Sequence, residues 1–221
     1  MSLTSNIGAD VTTTGTQGYS GTTTLSGGDR TLEGSTITMA AVTGTGSHDL
    51  TVTGNLDLDG AVTNVVELDI TGTSNIGANV TTSGTQNYQG TTTLSGGDRT
   101  LQGSTITLAA VTGGSNALTV TGNLVLDGAI SGVTNMSVSG TSNIGADVTT
   151  TGTQSYTGTT TVSASSTLIG TEISTAAIVL NHDLEIRNSS DSTLASVISG
   201  TGALTKSGSG VLTLRGINTF D

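Results

Sequence analysis

The sequence predicts an all-β chain wound as a parallel β-helix (β-solenoid) with about three strands per coil. Three observations lead there. A long segment is written three times; apolar and polar residues alternate in short runs broken by Gly, Asn and Asp-Gly; and no stretch carries a helical period.

The repetition comes first. TSNIGADVTTTGTQGYSG at Thr4–Gly21 returns as TSNIGANVTTSGTQNYQG at Thr73–Gly90 and as TSNIGADVTTTGTQSYTG at Thr141–Gly158, with offsets of 69 and 68 residues. The first two copies continue in parallel, through TTTLSGGDRTLEGSTITMAAVTG (Thr22–Gly44) and TTTLSGGDRTLQGSTITLAAVTG (Thr91–Gly113). They go on through HDLTVTGNLDLDGAV (His48–Val62) and NALTVTGNLVLDGAI (Asn116–Ile130). The third copy keeps the pattern to about Thr161 and then diverges. The chain therefore divides into copies 4–72, 73–140 and 141–221 of one solenoid. Copies two and three are preceded by Gly72 and Gly140, whereas copy one is preceded by Leu3. Met1, Ser2 and Leu3 (1–3) read as a foreign leader, and the chain as a piece of something longer.

Strand positions follow from the alternation. Leu50, Val52, Leu56 and Leu58 are separated by Thr or Asp around Gly54-Asn55, and Leu68 and Ile70 alternate with Glu67 and Asp69. Thr and Val suit such a pleated surface. Comparing the copies separates inside from outside. Met39 becomes Leu108, Val62 becomes Ile130, Leu68 becomes Met136 and Ile70 becomes Val138. Volume-conserving swaps of this kind are the ones packed interiors tolerate best. By contrast Asp57 becomes Val125, Glu67 becomes Asn135, Asp69 becomes Ser137 and Glu33 becomes Gln102. Charge lost so freely belongs to a solvated face.

About nine short strands per copy divide into three coils of about 23 residues. Nine or ten coils, each rising by the inter-strand spacing of about 4.8 Å, give a rod on the order of 45 Å long. An array of small β-sandwiches is the rival, but 68 residues are few for a sandwich. The three tyrosines, Tyr19, Tyr88 and Tyr156, occupy one phase of the repeat. On the three-coil reading they form a row along one side of the rod.

Composition narrows the function. The chain of 221 residues has no Cys, Pro or Trp, one Phe and three Tyr, and 33 Gly. Ladders of aliphatic side chains in a narrow interior need little aromatic mass. A Gly/Ser/Thr-rich chain invites a disordered reading, against which stand the absence of Pro and the regular placement of Leu, Ile and Val. Sixteen acids against five bases give a formal charge of −11, which repels nucleic acid and anionic membranes alike. No apolar run reaches the roughly twenty residues of a membrane helix, so no membrane insertion is expected of this segment. Without Cys there is no disulfide framework or thiolate metal site.

VTTTGTQGYSGTTTL (Val11–Leu25) followed by GDRTLEGSTIT (Gly28–Thr38) resembles repeats of large secreted bacterial β-helix proteins, among them filamentous-haemagglutinin-like adhesins and autotransporter passengers. SGTGALTKSGSGVLTLRGINTF (Ser199–Phe220) resembles the passenger-associated repeat of autotransporters. Gly200, Gly202, Leu204, Lys206, Gly208, Gly210, Leu212, Leu214, Gly216, Asn218, Thr219 and Phe220 carry that second resemblance (199–220). The resemblance implies a right-handed parallel β-helix, exported through an outer-membrane pore and displayed on the bacterial cell surface. It also implies that the terminal repeat assists passenger export and folding.

Catalytic candidates are few. Asp57, Asp59, Glu67 and Asp69 lie in a short span, and stacking that brings Asp57 beside Asp69 would give the carboxylate pair that glycoside hydrolysis needs. No Arg, Lys or His lies near them in sequence, and copy two replaces three of the four. Asp57-Leu58-Asp59-Gly60 is similar to fragments of calcium loops but lacks the full ligand spacing. His48 and His182, both followed by Asp, are too few for zinc without Cys. Gly208-Ser209-Gly210 does not make a nucleophile elbow. Gly27-Gly28-Asp29-Arg30 and Gly96-Gly97-Asp98-Arg99 read as tight turns before recognition spots. Thr12–Thr14 and Thr22–Thr24 raise an ice-binding face of hydroxyls.

The reading is thus a structural and adhesive rod segment of a secreted bacterial cell-surface protein. It has no catalytic, metal or cofactor residues, and its partner is a host-cell or surface glycan or protein receptor. A polysaccharide-acting β-helix enzyme is the alternative, and an ice-binding or calcium-stabilised solenoid the second. Exposed end coils also leave room for end-to-end self-association.

Overall fold

The computed structural model describes residues 4–220. Twenty-five strands follow one another with no helix between them, from Ser5–Ile7 to Thr219–Phe220, and every strand pairing is parallel. Each strand pairs with the one lying a full turn ahead of it. Leu56 pairs with Ser74, Ser74 with Thr92, Ser142 with Thr160 and Thr160 with Ile178. The result is a β-solenoid of about 11 turns with about 19 residues and three strands per turn. At about 4.8 Å per turn the stack is about 53 Å long.

The inside is built as the copy comparison predicts. Met39, Leu108, Val62, Ile130, Leu68, Met136, Ile70 and Val138 are all buried. Asp57, Val125, Glu67, Asn135, Asp69, Ser137, Glu33 and Gln102 all lie on the outside, half-buried or exposed. Successive side chains of a strand point to opposite faces, so one apolar residue in two suffices for a narrow interior.

The coil is shorter than the expected 23 residues, and the reason lies in the corners. Counting Gly, Asn and Asp-Gly breaks finds only those corners that need a turn residue. Others are made in extended backbone: Arg99–Leu126 is one unbroken strand of 28 residues that winds round the core. Copy two presents eleven inward rungs, led by Ile76, Val80, Tyr88, Leu94, Leu101, Leu108, Val111, Val120, Leu126, Ile130 and Val138, all buried. Eleven rungs on three faces are three and two-thirds turns. Each copy therefore starts one face short of a whole number of turns from the last, and three copies close on eleven turns.

That offset corrects the tyrosine row. Tyr19 stacks on Met39, in the column that continues through Leu58, Ile76 and Leu94. Tyr88 stacks on Ile70, in the column of Leu32 and Val52. Tyr156 stacks on Val138, in the column of Val120. The three tyrosines occupy three different faces, and they point inward. Tyr88 and Tyr156 are fully buried, and Tyr19, in the terminal coils, is half-buried against the core.

Candidate functional site

The string that recurs three times makes an internal polar clasp. Gln86 is buried and donates from Nε2 to the carbonyl oxygens of Gln102 (2.7 Å) and Val80 (3.4 Å) and to Thr82 Oγ1 (3.3 Å). The Tyr88 hydroxyl donates to Gln86 Oε1 at 2.8 Å. Gln17 with Tyr19 and Gln154 with Tyr156 repeat the arrangement. Two coils are tied through the middle, and the buried phenol is satisfied, as a buried hydroxyl must be. Burial pushes the Tyr88 and Tyr156 hydroxyls far above the usual phenol range, and Tyr19 shifts the same way.

Glycines of the same phase stand where no side chain fits. A Cβ on Gly103 would lie 2.7 Å from both the Gly84 oxygen and Thr82 Oγ1. Gly34 and Gly170 are constrained alike, so the divergent third copy keeps this glycine.

The acids are mostly engaged between coils. Asp57 accepts from Asn75 Nδ2 at 2.8 Å; Asp69 accepts from Asn87 Nδ2 at 2.9 Å and Gln89 Nε2 at 3.0 Å. Leu58, beside Asp57, belongs to the Tyr19 column, whereas Ile70, beside Asp69, belongs to the Tyr88 column. The two carboxylates thus sit on different faces and do not form the pair that hydrolysis needs. Other Asp and Asn side chains cap backbone amides of the adjoining coil. Asp29 takes the Asp49 N–H, Asp49 takes that of Glu67, and Asn55 takes that of Thr73.

The Gly-Gly-Asp-Arg segments are turns with an inter-coil function. Gly27 and Gly28 have φ of 74° and 129°, and Gly96 and Gly97 have 69° and 126°, values that Cβ-bearing residues rarely adopt. Arg30 is only 10% exposed. Its guanidinium donates to the carbonyls of Ile7, Ser26 and Asp29, and Arg99 does the same to Ile76, Ser95 and Asp98. Asp98 caps the Ala117 N–H on the next coil. A Gly-Asp turn signal in the sequence carries no sign of this contact, because the partner lies a full coil away.

His182 is exposed and His48 half-buried, on well-separated coils, and no group of three His, Cys, Asp or Glu is placed to hold a metal among the described residues. The threonines form rows only in part. Thr24, Thr43 and Thr63 are in register on one face, but Thr81 pairs with Gln102, which breaks the row.

No family model, curated protein or solved structure matches the chain. The resemblance to adhesin repeats therefore rests on the quoted motifs. The Ser199–Phe220 segment forms strands Leu204–Ser207, Leu212–Leu214 and Thr219–Phe220, the last turn of the stack. Its glycines press on the coil beneath: a Cβ on Gly202 would lie 2.1 Å from the His182 oxygen and one on Gly210 2.2 Å from that of Ser190. Asn218 accepts from the Ile198 N–H. These motif residues have packing reasons of their own.

Proposed function

We propose that the chain is a structural and adhesive rod segment of a secreted bacterial cell-surface protein. One observation carries the reading: the repeated polar side chains are committed to holding coils together. The Gln-Tyr clasps, the Arg30 and Arg99 bridges and the Asp/Asn caps use in packing the groups that an active site would hold ready. Repetition of such units gives length at constant cross-section, which is the property a spacer needs. The separation of Asp57 from Asp69 weighs against a polysaccharide-cleaving enzyme.

The test has two parts. Antibody raised against the chain should label intact cells of the source organism and recover the parent protein from outside the cell. Incubation of the chain with acidic and neutral glycans should release no new reducing ends. Confinement of the protein to the cytoplasm, or turnover abolished by Asp57→Asn, would defeat the proposal.

A further inference from the structure

The third copy diverges at one corner, and there the structure leaves a hollow that the other copies lack in this form. In copies one and two the corner is a column of glycines: a Cβ on Gly54 would lie 1.9 Å from the Gly34 oxygen, and one on Gly122 1.9 Å from the Gly103 oxygen. In copy three Gly170 is in register with Asn188 instead, and Gly208 then packs over Asn188. The residue before the corner changes as well. Thr53 in copy one is replaced by Arg187, which is in register with Ile169 below and Ser207 above.

The hollow at this corner has a volume of about 340 Å³ and is lined by Arg187 with Thr150, Thr171, Ser189 and Ser209. Arg187 is exposed and has neither an ion pair nor a side-chain hydrogen bond among the described residues, unlike Arg30 and Arg99. The neighbouring Glu185 is turned to the Ser207 hydroxyl. Lys206 lies on the other side of its strand, in register with the inward-facing Ile186, and its Nζ donates to the Gly208 carbonyl at 3.1 Å, so Arg187 is the cation that lines the hollow. Three of the five bases of this acidic chain, Arg187, Lys206 and Arg215, fall in its last 35 residues.

We propose that this hollow binds a uronate unit of an acidic saccharide. Arg187 presents a planar fork that matches a carboxylate in bidentate fashion. The Thr171 and Ser189 hydroxyls, with Ser209 Oγ as an acceptor, pair with those of a sugar ring, while the buried Thr150 hydroxyl stays bonded to the Gly152 and Ile169 carbonyls. The volume falls at the lower end of small-ligand sites, enough for one or two sugar units. Salt screens the chain's negative charge beyond about 8–10 Å, so the groups at contact decide, and there Arg187 is the charge that lines the hollow. No aromatic ring lines the hollow, so affinity is expected in the millimolar range, as for a ligand held without stacking. This site does not depend on whether the rod acts as a spacer.

The experiment is an NMR titration of the isotopically labelled chain with a galacturonate trimer, a galactose trimer and sodium acetate. The galacturonate trimer should shift the amides of Thr171, Ser189 and Ser209 saturably, and the neutral trimer should not. Arg187→Gln should weaken binding by about tenfold or more with an unchanged circular dichroism spectrum, whereas Lys206→Gln, outside the hollow, should leave it unchanged. Failure of the trimer to bind overturns the proposal, as does binding that Arg187→Gln does not weaken. Acetate shifting the same amides equally at matched carboxylate concentration would reduce the site to a general anion contact and overturn the saccharide assignment.

Discussion

Replacing Gln86 with Leu tests whether the repeated string is architecture. The substitution removes the donors to the Gln102 and Val80 carbonyls and the acceptor of the Tyr88 hydroxyl, in a place with no access to water. A buried polar group left unpaired costs about 1–3 kcal/mol. The phenol and the close 2.7 Å Gln102 contact together give a loss of about 2–5 kcal/mol. Tyr88→Phe leaves only Gln86 Oε1 without its donor and should cost about 1–2 kcal/mol. Combining the two removes both partners of that bond, so the double variant should lose at least about 1 kcal/mol less than the sum. The assay is urea unfolding followed by far-ultraviolet circular dichroism. The three copies supply an internal control: Gln154→Leu should match Gln86→Leu, whereas Gln17→Leu, beside the half-buried Tyr19, should cost less. Equal and negligible losses at all three sites, or strict additivity in the cycle, would refute the reasoning.

Other outcomes follow from the same contacts. Gly128→Ala would place a Cβ 1.6 Å from the Ala109 oxygen and should prevent soluble expression or cost several kcal/mol, of the order seen for severe backbone clashes, while Gly18→Ala, with nothing within 4 Å, should be neutral in a thermal melt. Thr23, Thr92 and Thr160 are equivalent buried residues whose hydroxyls lack partners; Thr92→Val should raise stability by about 1 kcal/mol in urea unfolding, and a loss would show that the hydroxyl is paired. Because burial raises the Tyr88 and Tyr156 pKa values above the ordinary 10.0, the folded state holds these protons more tightly than the unfolded state. Stability should be fully present below pH 10 and fall above it by about 1.4 kcal/mol per pH unit for each buried tyrosine, and Tyr88→Phe should halve that slope in alkaline unfolding.

Much of the fold was legible in the sequence, because a repeat shows which positions tolerate exchange. Met39 against Leu108 and Asp57 against Val125 mark inside and outside without further data. The same signal was present for tyrosine. Its flanks change from Gly18 and Ser20 to Asn87 and Gln89 while Gln and Tyr stay, as expected when flanks face water and the constant pair faces the core. Coil length was not legible, since extended corners such as those within Arg99–Leu126 carry no turn residue to count. Nor was the Arg187 hollow, which arises where the third copy departs from the pattern and only register shows what it stacks upon.

The central claim is the winding: turns of about 19 residues, with each copy set back by one face. The chain has no Cys, so paired spin labels can be introduced cleanly. Asn87 and Thr107 are register partners on adjacent coils, whereas Ala110 pairs with Thr91, beyond the next corner. Labels at Asn87 and Thr107 should lie within about 10 Å and broaden the spectrum strongly, as expected of neighbours one strand spacing apart. Labels at Asn87 and Ala110, the partners in a 23-residue coil, should broaden it much less. The reverse order would contradict the account.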